Sequence, residues 1–114
     1  MTGAAPIHAT TVARRGPGEG VWRAVMILGP SGAGKSDLAL RLIGRGWRLV
    51  SDDYTRVWAS DGALYATAPQ SIAGRIEARG VGIVSAATRP VSRVVLAVAL
   101  VPEAVERLPE PQFR

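Results

Sequence analysis

Along the chain, apolar and polar positions alternate in short runs separated by glycine, proline and acidic punctuation, and most of these runs predict strands. "IHATTVA" (7–13) is rich in β-branched residues and predicts a short strand, closed by a turn at "RRGPGEG" around the Pro17–Gly18 step. "VWRAVMIL" (21–28) ends in the continuous apolar run expected of a buried parallel strand. The period changes in "KSDLALRLIGRG" (35–46). Leu38, Leu42 and Ile43 share one helical face, and Gly44 and Gly46 stop the helix. "WRLVSDD" (47–53) predicts a brief strand ending in two acids, and "YTRVWASDGALYATA" a β-hairpin turning at Asp61–Gly62. "SIAGRIEARGVGIVS" starts irregular or helical and ends extended. "RVVLAVALV" (93–101) is the most apolar run and predicts a central strand, whereas "PEAVERLPEPQFR" carries three prolines and no clear element. The pattern is α/β: a mixed, strand-rich sheet with few helices, in a single domain over 1–114.

Composition narrows the classes. An apolar share of 47% suits a globular core. The net charge of +5 is modest and its arginines are scattered, so a nucleic-acid partner is not indicated. An anionic nucleotide or an acidic protein surface explains the sign equally well. The absence of cysteine excludes disulfides and thiol chemistry. No apolar run has the length of a secretory signal core or a membrane span, which sets the expectation of a soluble cytoplasmic protein.

The chemistry begins at "GPSGAGKS". Gly29, Gly34, Lys35 and Ser36 fit G-x-x-x-x-G-K-[ST], with Pro30, Ser31, Gly32 and Ala33 between them. Glycines let backbone N–H groups approach an anion, and the following helix aims its positive dipole end at the same point. In such a loop the lysine ammonium meets the outer phosphates and the Ser36 hydroxyl ligates Mg²⁺. The predicted strand before the loop and helix after it supply the context the motif requires. Lys35 is also the only lysine; every other basic residue is arginine, so the compact ammonium stands where phosphates would be held.

Phosphoryl transfer needs more than a phosphate loop. The most apolar strand runs into Pro102 and Glu103 with no aspartate at its end, so the conventional metal carboxylate is missing there. Asp52 and Asp53 end the only strand that closes in acids. Beside a triphosphate, one of such a pair suits Mg²⁺ and the other a proton acceptor, a reading the pair favours over a common exposed acidic turn. If extended, the stretch sets the two on opposite faces. Glu77 lies between Arg75 and Arg79. An extended run would put Glu77 and Arg79 on one side, as a metal-and-phosphate pair or as a surface ion pair. His8, the single histidine, opens the first predicted strand.

These pieces together resemble the catalytic domain of the HPr serine kinase/phosphorylases, in their short alphaproteobacterial form. "GPSGAGKSDLALRLIGRGWRLVSDD" is similar to that family's phosphate loop, helix and double-Asp strand, with Asp53 eighteen residues after Lys35. "IEARGVGIV" resembles the family signature, close to I-E-[IV]-R-G-[LI]-G-I, and "IHATTVA" resembles short members in which a histidine opens the domain. The resemblance covers roughly 7–108. It implies a phosphate-loop fold similar to phosphoenolpyruvate carboxykinase and an ATP- and Mg²⁺-dependent kinase. The implied acceptor is a serine of a small HPr-like phosphocarrier protein, with the reverse phosphorylase reaction left open. It further implies that residues 29–36 bind the nucleotide phosphates, that Ser36 and Glu77 hold Mg²⁺, and that Asp53 is the base, with Lys35 and His8 completing the site. Arg107 in "VERLPE" aligns with a later catalytic arginine in divergent surroundings. The family's N-terminal domain has no counterpart here, its C-terminal part would lie beyond Arg114, and a hexamer is the family's assembly. Two other readings stay open. One is a small-molecule kinase sharing only the loop, although no arginine-rich lid is visible. The other is a non-catalytic ATP-sensing module, against which the joint presence of Lys35, Asp53 and Glu77 argues.

Overall fold

The computed structural model describes residues 5–18, 20–78 and 80–100. Its elements run β1 (Ala9–Arg15), β2 (Trp22–Leu28), α1 (Lys35–Ile43), β3 (Arg48–Ser51), β4 (Arg56–Ser60) and β5 (Ala63–Thr67). A short 3-10 turn (Gln70–Ile72), β6 (Arg75–Ala78), β7 (Gly82–Ser85) and β8 (Val91–Ala99) complete them. Six strands form one mixed sheet in the order β3-β1-β2-β8-β5-β4, and β6 and β7 form a separate ribbon. Only β2 and β8 run parallel. The strand-rich α/β architecture with a single α-helix among the described residues is as the sequence predicts.

Residue alternation decides the two faces of the sheet. Val12 and Ala13 are adjacent and both fully buried, but on opposite sides. Val12 joins Ile27, Leu49, Ile76 and Ala39 of α1, with Leu38, Leu42, Ile43 and Trp47 packed around them. Ala13 joins Ala24, Val50 and Ala66 on the other face. The helix stops at Ile43, directly before Gly44, as its glycines predict. Gly44 keeps a right-handed helical conformation, and the left-handed position is Gly46 at φ 102°, where Trp47 N–H reaches back to the Leu42 carbonyl at 3.1 Å. Asp61 (φ 51°) and Gly62 (φ 76°) both take positive φ, as the type I′ turn between β4 and β5 requires.

One expectation is corrected and two others gain detail. The strand read through "WRLVSDD" ends at Ser51, so Asp52 and Asp53 lie in the bend beyond it and not on opposite faces of an extended run. "SIAGRIEARGVGIVS" starts in a 3-10 turn and ends extended, as predicted; the Gly80 and Gly82 positions (φ 82° and 104°) turn the extended part back on itself as the β6–β7 hairpin. The β8 run is central by pairing, as predicted, with β2 on one side and β5 on the other, although it leaves large apolar side chains exposed. Val95 and Leu96 are 51% and 53% exposed. A bulge pairs Ala24 with Val94 and Val25 with Leu96, leaving Val95 unpaired with β2, and α1 packs chiefly on β1, β3 and β6. Arg79 and Arg107 lie outside the described residues.

Candidate active site

The site is built where β2, β3 and β6 deliver their ends to the N-terminus of α1. β2 stops at Leu28, whose carbonyl accepts from Leu100 N–H at 2.8 Å, so the end of β8 is tied to the start of the loop. Gly29 then turns with φ 150°, and a Cβ there would sit 2.9 Å from the Leu100 carbonyl oxygen. Gly29→Ala is therefore expected to lower stability by about 2 kcal/mol, read as a reduced denaturation midpoint. Gly34 (φ 99°) caps α1 with no side-chain hydrogen bond, so no side chain competes for the first helical N–H groups. Lys35 is only 5% exposed. Its Nζ donates to the Gly29 carbonyl at 2.8 Å and the Pro30 carbonyl at 3.2 Å, which aligns the ammonium with the loop and leaves a third donor.

The two adjacent aspartates have different surroundings. Asp52 is 8% exposed. Its Oδ1 accepts from Ser36 Oγ at 2.6 Å and Thr10 Oγ1 at 3.0 Å, and its Oδ2 from Glu77 N–H at 3.1 Å. One buried carboxylate thus ties the phosphate loop, β1 and β6 together, and each lone pair it uses is matched by a donor. The Asp53 side chain is 53% exposed and lies 2.7 Å from His8 Nε2. Its backbone is left-handed (φ 71°), an unfavourable region for a non-glycine residue, and its N–H donates to Thr10 Oγ1 at 3.0 Å. Thr10 therefore clamps both acids, donating to one side chain and accepting from the other's backbone.

His8 reaches Asp53 because the chain before β1 is pinned to the chain after the acids. Ile7 and Thr55 exchange two backbone hydrogen bonds of 2.8 Å, and Thr55 Oγ1 donates to the Ala9 carbonyl at 2.8 Å. The Tyr54 ring stacks on the imidazole, with centroids 5.1 Å apart, and Ser51 Oγ donates to the Tyr54 carbonyl. A residue 45 positions away in sequence is thereby placed beside the acid.

A cleft of about 730 Å³ joins these parts, lined by the loop with Lys35 and Ser36, by Asp52 and Asp53, and by Glu77. Of the residues predicted for the site, Ser31, Gly32, Gly34, Lys35, Ser36, Asp53 and Glu77 line it, and His8 joins through Asp53. Asp52 was weighed with Asp53 but given no role by the resemblance; its burial and three donors make it a structural centre of the site. The Thr10 and Ser36 hydroxyls that select it are distant in sequence, so no local signal marks it. Among the described residues, no three acids or histidines converge as a metal cage. Ser36, Asp52 and Glu77 are nonetheless hard oxygen donors beside a phosphate loop. That set suits Mg²⁺, which takes one or two carboxylates and completes its shell with phosphate oxygens and water.

Comparison with known proteins points one way. The model of the HPr Serine kinase C-terminal domain matches residues 17–97, more than half of the chain. The HPr kinase/phosphorylase of Clostridium kluyveri is 52% identical over 60 residues, 53% of this chain and 20% of that protein. That of Limosilactobacillus reuteri is 48% identical over 65 residues, 56% of this chain and 20% of that protein. The matched stretch thus spans about a fifth of these curated relatives' length. The solved Hpr(Ser) kinase/phosphatase from Coxiella burnetii superposes with a TM-score of 0.75 at 29% identity, covering 93% of this chain and 64% of that one.

Proposed function

The chain belongs to the HPr serine kinase C-terminal domain family, and from that membership and the cleft we propose an ATP- and Mg²⁺-dependent protein-serine kinase acting on an HPr-like phosphocarrier protein. The observation that carries this reading is the division between Asp52, buried and held by three donors, and Asp53, half-exposed and paired with His8. Asp52 is nearly buried and already accepts three hydrogen bonds, so an incoming hydroxyl has little access to it, whereas Asp53 is half-exposed and has an oxygen free to take the proton.

In this reading the loop of residues 29–36, through its backbone N–H groups other than at Pro30, and the Lys35 ammonium hold the nucleotide phosphates. Ser36 and Glu77 hold Mg²⁺, which when bound neutralises charge on the transferring phosphoryl group. Asp53 takes the proton of the acceptor serine hydroxyl as its oxygen attacks the γ-phosphorus and ADP departs. His8 orients Asp53 through Nε2. In the reverse direction inorganic phosphate attacks the phosphoserine, and Asp53 in its acid form protonates the leaving serine oxygen. Arg107 is proposed to join the site, and a hexamer working in the cytoplasm is proposed by likeness to the family. No helix among the described residues is long and apolar enough to cross a membrane.

Incubation with Mg-ATP and purified HPr, followed by intact-mass analysis, tests the reading. Gain of one phosphoryl group on a serine supports it. ATP binding without transfer leaves the nucleotide-sensing alternative, and transfer to a small hydroxyl compound alone leaves the small-molecule kinase. Glu77→Gln keeps the shape of the side chain and removes its charge. It is expected to raise the Mg²⁺ concentration for half-maximal rate by about tenfold or more. An unchanged Mg²⁺ titration would return Glu77 to a surface role.

A further inference from the structure

The β6–β7 hairpin has two unlike faces. Ile76, 1% exposed, and its cross-strand partner Val84 pack into the core. The next pair along the ladder is Glu77 and Ile83, on the opposite face, and there Ile83 is 72% exposed. Val81 is 74% exposed at the tip, held between the left-handed Gly80 and Gly82, with its N–H donated to the Ala78 carbonyl at 3.0 Å. Tyr54, also exposed, lines the same cleft as Ile83. The hairpin is anchored by its inner face while it presents two large apolar side chains to water beside the acid assigned to Mg²⁺.

We propose that Val81 and Ile83, with the outer face of Tyr54, form an apolar docking rim for the protein acceptor, covered by apolar side chains flanking its serine. The inference rests on the kinase reading above. Three features select this occupant. The rim is continuous with the cleft through Ile83 and Tyr54, so whatever fills the cleft meets it. Val81 does not line the cleft, so an acceptor small enough to sit inside would leave it untouched, whereas a folded protein surface would cover it. Neither hairpin side chain carries charge, so they contribute by burial of apolar surface and not by ion pairing.

The test is steady-state transfer from Mg-ATP to purified HPr by the unmodified chain, Val81→Ser and Ile83→Ser, with the Mg²⁺ titration and the sedimentation state recorded for each. For Val81→Ser the expected result is a KM for HPr raised about tenfold, with kcat at saturating HPr and the KM for ATP within about twofold of the unmodified chain. Ile83→Ser should raise the HPr KM similarly without shifting the Mg²⁺ titration. An unchanged HPr KM in both variants overturns the rim. So does a changed sedimentation state, which would make the tip a contact between copies of this chain. So does a fall in kcat with a shifted Mg²⁺ requirement and no KM effect, which would mean that the hairpin acts only by holding Glu77. Absence of transfer by the unmodified chain overturns the kinase reading itself, and the rim with it.

Discussion

Asp53→Asn is expected to remove phosphoryl transfer to serine while ATP still binds. The substitution keeps the size of the side chain and the hydrogen bond from Asp53 N–H to Thr10 Oγ1, and leaves the phosphate loop intact. It removes the one carboxylate of the pair that is half-exposed and free to take a proton. General-base help is worth about 10²–10⁴ in rate, and a serine hydroxyl depends on it because its proton has nowhere else to go. The reverse reaction needs the same group as an acid, so any phosphorylase activity should fall with the kinase activity. Asp52→Asn separates the two aspartates. It replaces an acceptor held by Ser36, Thr10 and Glu77 N–H with an amide that satisfies them only in part. Its expected signature is lowered stability and a raised Mg²⁺ requirement, with measurable transfer remaining. Nucleotide affinity by calorimetry beside both rates decides the matter. An active Asp53→Asn with an inactive Asp52→Asn would reverse the assignment, and activity in both would reduce the pair to a structural turn.

Lys35→Ala should cost about 2–4 kcal/mol of transition-state stabilisation, seen as a fall in kcat/KM for ATP of about 30- to 1,000-fold. The side chain is nearly buried, and its ammonium is held by the Gly29 and Pro30 carbonyls at the loop. Its position is therefore set before any nucleotide arrives, and preorganisation of this kind gives a single charge its large effect. Lys35→Arg should not restore the rate, because a guanidinium is a wide planar fork and the space beside two loop carbonyls holds a compact ammonium. Thermal unfolding of both variants separates this from loss of fold. Normal transfer by Lys35→Ala would exclude the loop from the chemistry.

The parts that were legible in the sequence are those whose causes are local. The phosphate loop follows from spacing alone, because glycines at fixed offsets and the helix behind them dictate the backbone. The β4–β5 hairpin follows from Asp61–Gly62, and β2 follows from its continuous apolar run, which is buried on both faces. Where the cause is long-range, the sequence is silent. β8 is the most apolar run but leaves Val95 and Leu96 exposed, because a strand's composition cannot say on which half of the sheet the helix will lie.

The same boundary runs through the site. The sequence by itself determined that the chain carries a phosphate loop on an α/β sheet, with Asp53 at the family's distance from Lys35 and Glu77 within its signature. Only the tertiary structure decided which aspartate is fixed and which is free, and that His8 belongs beside the latter. The physical reason is that these roles are conferred by partners 16 to 45 residues away: Thr10 and His8 reach the acids through antiparallel pairing of β1 with β3 and of Ile7 with Thr55, and Ser36 through the packing of α1 on those strands. A carboxylate's chemistry is set by the donors around it, and in this chain those donors are assembled by the sheet.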